Sequence, residues 1–127
     1  MTMGYRLQSE KIKGLVTHRQ YDQALLACEM ALAETSLPDE DKKTALHLLG
    51  TCHYFKNNMS QSIDCFQKVL SLDPKHTDSA ISLSVIYNDI GRYDEAKAIY
   101  QVANQSLQLK RHGADYVLDR KFAIKHI

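Results

Sequence analysis

Leu46-His47-Leu48-Leu49-Gly50-Thr51-Cys52-His53, followed by Ser62, Phe66 and Pro74, decides the fold of this 127-residue chain. Thirty-four residues on, the pattern returns as Ala80-Ile81-Ser82-Leu83-Ser84-Val85-Ile86-Tyr87, followed by Ala96 and Tyr100. A leucine precedes a small residue in both windows, and an aromatic follows at a fixed distance. Upstream, Tyr21-Asp22-Gln23-Ala24 matches Tyr93-Asp94-Glu95-Ala96. Ala24 precedes Ser62 by 38 residues, and the extra four fall around Ser36–Asp41. A period in this range marks a supersecondary unit that buries its apolar face only by stacking on a neighbour.

Within each unit the apolar residues recur at helical spacing, as in Ile63, Phe66, Val69 and Leu70 or Leu83, Ile86, Tyr87 and Ile90. Asn57-Asn58 and Gly91-Arg92 are turn residues that tolerate left-handed backbone. Pro74 biases Asp73 away from helix and so ends the segment before it. The expected helices are Met3–Thr17, Tyr21–Ala33, Asp39–Phe55, Met59–Leu72, Thr77–Ile90 and Tyr93–Leu109, with Asp39 and Thr77 as N-caps. A seventh, Ala114–His126, carries Val117, Leu118, Phe122 and Ile124 and either caps the stack or opens a fourth repeat.

Leu49, Gly50, Phe66 and Pro74, with Leu83, Tyr87, Ala96 and Tyr100, resemble the tetratricopeptide repeat, whose pattern is W-x2-L-G-x2-Y, A-x3-F, P. Ile12 stands where that family has a small residue. The resemblance implies an all-α solenoid of three helix-turn-helix repeats, about 5–38, 43–76 and 77–110, plus the C-terminal helix about 114–126, in one domain. Gly50 and Ser84 are then expected at helix crossings, with Ala24 and Ala96 meeting such positions from the second helices. Phe66 and Tyr100 are expected between successive repeats.

Composition narrows the function. The chain is 44% apolar and 24% charged with only 5 Gly and 2 Pro, which excludes a disordered chain. A net charge of +1 gives no reason to invoke nucleic acid, and no apolar run approaches a membrane span. The opening residues hold no apolar core of a signal peptide, so a cytoplasmic protein is expected. Cys28, Cys52 and Cys65 are odd in number and contain no C-x-x-C, which favours reduced thiols packed as small hydrophobes.

Catalysis finds no support. His47 and Cys52 are five apart, which does not bring them to one helix face, and Cys52 and His53 are adjacent. No zinc-ligand spacing, phosphate loop or dinucleotide motif occurs, so no metal and no cofactor are expected. His53 occupies the place of the Tyr that packs between helices in the family and reads as a core histidine.

In the family the first helices of successive repeats line a concave groove. Carried over, the groove takes Lys13, His47, Thr51, Tyr54, Phe55, Ile81, Val85 and Asn88, with Tyr54, Phe55, Ile81 and Val85 as an apolar patch. Such a surface suits a peptide anchored by apolar side chains, or packs under the chain's own termini. The carboxylate-gripping branch of the family is disfavoured, because its positions hold Ser9, Lys13, Leu48, Asp78 and Ser82. The expected function is a non-catalytic adaptor for another protein or peptide. The alternatives are a secretion-type chaperone holding an extended substrate and a scaffold that self-assembles through its ends. Residues 21–41 carry a net −6 and residues 105–127 a net +3, charges suited to such head-to-tail assembly or to two solvated faces.

Overall fold

The computed structural model describes residues 8–108. Each periodic segment within them forms an α-helix: α1 (Ser9–Thr17), α2 (Tyr21–Leu32), α3 (Asp39–Phe55), α4 (Met59–Leu72), α5 (Thr77–Asp89) and α6 (Tyr93–Gln108). No strand occurs among the described residues. The bounds of α3 and α4 are those expected from sequence, α2 and α5 each end one residue early, α1 starts at Ser9 with Gln8 as its non-helical N-cap, and α6 is described as far as Gln108. The expected seventh helix and the Met3–Leu7 start of the first lie outside the described residues.

The repeat is legible in the backbone of its turns. Arg19, Asn57 and Gly91 all have positive φ, at 62°, 63° and 86°. After α1, the N–H of Arg19 donates to Val16 O and that of Gln20 to Leu15 O. After α3 the pairs are Asn57 to Tyr54 O and Asn58 to His53 O; after α5 they are Gly91 to Asn88 O and Arg92 to Tyr87 O. These are three copies of the Schellman closure, which satisfies the last carbonyls of a helix with the next two amides. Each copy then launches the second helix of its hairpin, where Ala24, Ser62 and Ala96 donate their N–H groups to Gln20, Asn58 and Arg92 O. The sequence signalled the second and third closures through Asn57 and Gly91. Arg19 carried no such signal, since a left-handed residue with a Cβ costs about 1–2 kcal/mol.

The expected N-caps are corrected. Asp39 is the first helical residue of α3, and its N-cap is Pro38, in extended backbone and with no side-chain hydrogen bond. Asp39, Glu40 and Asp41 instead fill the first turn, where acidic side chains meet the positive end of the helix dipole. The α5 cap is His76, whose Nδ1 accepts from the Ser79 N–H at 3.3 Å. Asp73 Oδ1 accepts from the Lys75 N–H at 3.1 Å and turns the chain one residue earlier than the Thr77 reading assumed.

The chain divides into two compact units, Met1–Lys68 and Val69–Ile127. In the first, α2 packs on α1 and α3 around Ala24, Cys28, Ala45, Leu48 and Cys52, all buried. α4 closes on α3 at Gly50, where a methyl group would lie 3.0 Å from Phe66 Cζ and 3.1 Å from Cys65 Cβ. The fully buried Ser62 Oγ donates to Gly50 O at 2.7 Å across the same crossing. The Phe66 ring therefore fills its own hairpin against Gly50, and meets His47 edge-on at 5.3 Å. In the second unit α5 and α6 pack together and bury Leu83, Ile86, Ala96 and Ala103. Ser84, at the register position of Gly50, folds its hydroxyl back to Ile81 O at 2.7 Å and adds no protruding bulk.

Candidate functional site

Of the expected groove residues, Lys13, His47, Thr51, Tyr54 and Phe55 belong to the first unit. They lie on α1 and α3, first helices of successive repeats that pack against one another. Lys13 is half-buried and pairs with Glu10 at 3.7 Å. His47 and Thr51 are buried, and Thr51 Oγ1 donates to His47 O at 2.9 Å. Tyr54 and Phe55 are half-buried. Phe55 stacks on Tyr21 with ring centres 5.1 Å apart and planes at 11°, while Tyr54 meets Phe55 edge-on at 5.5 Å. Beside the stack the Lys56 ammonium pairs with the Asp22 carboxylate. The three rings form one aromatic ladder at the end of α3, with the preceding repeat supplying its lowest rung.

Ile81, Val85 and Asn88 belong to the second unit. Ile81 and Val85 are 4% and 3% exposed and cluster with Ala80 and Ala103, flanked by Leu70 and Ile99. The reading of both as open apolar surface is corrected, because their side chains serve the core of their unit. Asn88 is half-buried. Leu48 and Ser82, two positions of the carboxylate-gripping set, are buried as well.

His47 and Cys52 face different surroundings. The His47 ring meets Phe66, whereas Cys52 lies near Cys28 and Cys65. Burial pushes the Cys28 and Cys52 thiols up to about 12 and Cys65 to about 11; neighbouring thiols reinforce the rise at Cys28 and Cys52, and the Asp64 carboxylate reinforces it at Cys65. All three are free and buried, and the thiolates needed for nucleophilic chemistry are suppressed at neutral pH. His53 is only half-buried; burial still holds its pKa below the ordinary histidine value, and Nδ1 lies 3.4 Å from Asn58 Nδ2. Among the described residues, no group of three His, Cys, Asp or Glu side chains is arranged to hold a metal ion, and no helix is long and apolar enough to cross a membrane.

Sequence reasoning missed the roles of Tyr21 and Asp22. Their signal was present: Tyr21-Asp22 and Phe55-Lys56 stand 34 residues apart, one repeat length. Partners at that interval are the same turn seen from adjacent repeats.

Comparison with known proteins follows the same lines. The family model described as anaphase-promoting complex, cyclosome, subunit 3 matches residues 17–103. A probable UDP-N-acetylglucosamine–peptide N-acetylglucosaminyltransferase SPINDLY from Eustoma exaltatum subsp. russellianum is 34% identical over 77 residues. That stretch is 60% of this chain and 8% of the relative, so the match spans a small part of an enzyme. The crystal structure of MamA aligns with a TM-score of 0.64 over 94% of this chain and 74% of its own, at 19% identity, a likeness of fold alone. Repeats of this type generally serve as protein-interaction modules. Three matched turns, a fixed register and a family match over most of the chain lead to one statement: the chain belongs to the tetratricopeptide-type repeat family described as anaphase-promoting complex, cyclosome, subunit 3.

Proposed function

We propose that the chain is a non-catalytic interaction module that takes an extended peptide or protein segment on the first-helix face of its first unit. Lys13, Tyr54 and Phe55 are the accessible part of that face, and His47 and Thr51 form its floor. The observation that carries the reading is the aromatic ladder. Half-exposed, mutually fixed rings present a large apolar area with little rotamer entropy left to lose, as binding hot spots do. Lys13 adds a cation that favours an acidic or polar flank on the ligand.

Selection from a displayed peptide library tests this. The parent chain is expected to enrich peptides with an apolar or aromatic anchor, and Tyr54→Ala with Lys13→Glu is expected to lose that enrichment while helicity by circular dichroism stays. Equal enrichment of the same peptides by the double variant would contradict the assignment.

A further inference from the structure

α1 and α2 frame an open groove, lined by Gln8, Lys11, Ile12 and Leu15 on one wall and by Ala27 and Met30 on the other. Ile12 forms its buried floor, whereas Met30 on its rim is 62% exposed. The register that sets Tyr21 on Tyr93 also sets Gln8 on Ala80, Ala27 on Ile99 and Met30 on Val102. Those three counterparts line one groove again, in the second unit, and there Leu70 and Pro74 join them. Leu70 lies in the last turn of α4, and Pro74 in the link to α5. The second groove is thus walled by the stretch of chain that leads into its own first helix. For the first groove that stretch is residues 1–7, with Thr2 at the register of Pro74.

Two observations suit this stretch to the groove. α5 opens at Thr77, whose register position is Tyr5, yet α1 opens only at Ser9. Gln8, just before it, has φ −91° and ψ 68°, so the chain leaves the axis of α1 where Gln8 lines the groove. Upstream the sequence alternates: Met1, Met3, Tyr5 and Leu7 are apolar, and Thr2, Gly4 and Arg6 between them are polar or small. Strict alternation is the pattern of an extended segment with one face buried, not of a helix. Seven extended residues reach about 23 Å. The groove runs about 10 Å along α1 from Gln8 to Leu15.

We propose that the chain's own residues 1–7 fold back over this groove as an extended strap and cap the open end of the stack. Tyr5 and Leu7 lie against Leu15 and Met30, and Arg6 meets Glu34, two residues past the end of α2. The strap closes the groove to other apolar ligands.

The chain has no tryptophan, so Tyr5→Trp supplies a single reporter in the full chain. Its emission is expected to be blue-shifted, and shielded from acrylamide, relative to a free peptide of residues 1–8 with the same replacement. Adding Met30→Asp is expected to lower the ratio of docked to free strap by about tenfold, the worth of one buried apolar side chain, and to restore quenching. Leu26→Asp, similarly exposed but outside the groove, is expected to keep the reporter shielded. Both replaced positions are exposed, so loss of fold does not account for the contrast. Quenching at the level of the free peptide in Tyr5→Trp alone would overturn the proposal. So would shielding unchanged by Met30→Asp, or equal exposure in Leu26→Asp. Shielding lost on dilution would overturn it in favour of the groove of a second copy.

Discussion

The second and third hairpins satisfy one register with different side chains. In α3–α4 a glycine lets a phenylalanine ring reach the backbone, and Ser62 ties that backbone down from the opposite helix. In α5–α6 the glycine is Ser84, which bonds within its own helix, and the ring is Tyr100, half-buried where Phe66 is 1% exposed. The repeat therefore conserves a volume and a distance at each crossing, while the pairing of residues that supplies them is exchangeable. The first hairpin extends the lesson: Ile12 stands at the Gly50 position and is buried, opposite the small Ala24 and Cys28.

The largest expected effect breaks the symmetry of the two rings. Phe66→Ala removes a fully enclosed ring and is expected to cost about 3–5 kcal/mol by denaturant unfolding. Tyr100→Ala is expected to cost clearly less, because part of that ring already meets water. Equal losses would mean that the hairpins bury their aromatics alike.

Gly50 sharpens the contrast. Gly50→Ala pushes on Phe66 and Cys65 and is expected to destabilise by about 1–3 kcal/mol. Ser84→Ala loses one internal hydrogen bond and is expected to cost about 0.5–1.5 kcal/mol. Gly14, inside α1 with no atom within 4 Å of an added methyl, is the control. Gly14→Ala is expected to stabilise by about 0.5–1 kcal/mol through helix propensity. Stabilisation by both glycine replacements would show that the α3–α4 crossing is looser than described.

The turns supply a smaller effect. Gly91→Ala places a Cβ at φ 86° and is expected to lower the thermal midpoint by the equivalent of about 1–2 kcal/mol. Arg19→Gly is expected to raise stability slightly, since the same conformation is already imposed on a residue with a Cβ. The smallest effect separates the repeats by pH. His53 has a pKa lowered chiefly by burial, so the unfolded chain binds its proton more readily. Stability is then whole above the ordinary histidine value near 6.5 and declines as pH falls from there towards the lower folded pKa. His53→Gln is expected to remove that slope, as seen in unfolding free energies measured across pH.

Much of this was legible in the residues. Periodic apolar positions and the 34-residue interval located all six described helices, because helix and stack both repeat at fixed intervals. Asn57 and Gly91 announced their turns since few residue types accept positive φ. The caps were read one residue late, because a cap depends on where the preceding turn closes, and Asp73 moved that point. The site was legible in part. Placing residues on the first helices follows from register, but exposure depends on what neighbouring helices cover, and Ile81 and Val85 are covered. The aromatic ladder escaped notice because its members come from different repeats.

The central claim is that Ala24, Ser62 and Ala96 occupy one position in three copies of a single unit, each with no exposed surface. Replacing each in turn by Leu and measuring unfolding free energy tests it most directly. The register predicts a loss of about 1–3 kcal/mol at all three from overpacking a helix crossing. Stability within about 0.5 kcal/mol of the parent at any one of them, the response of a surface position, would contradict the shared register.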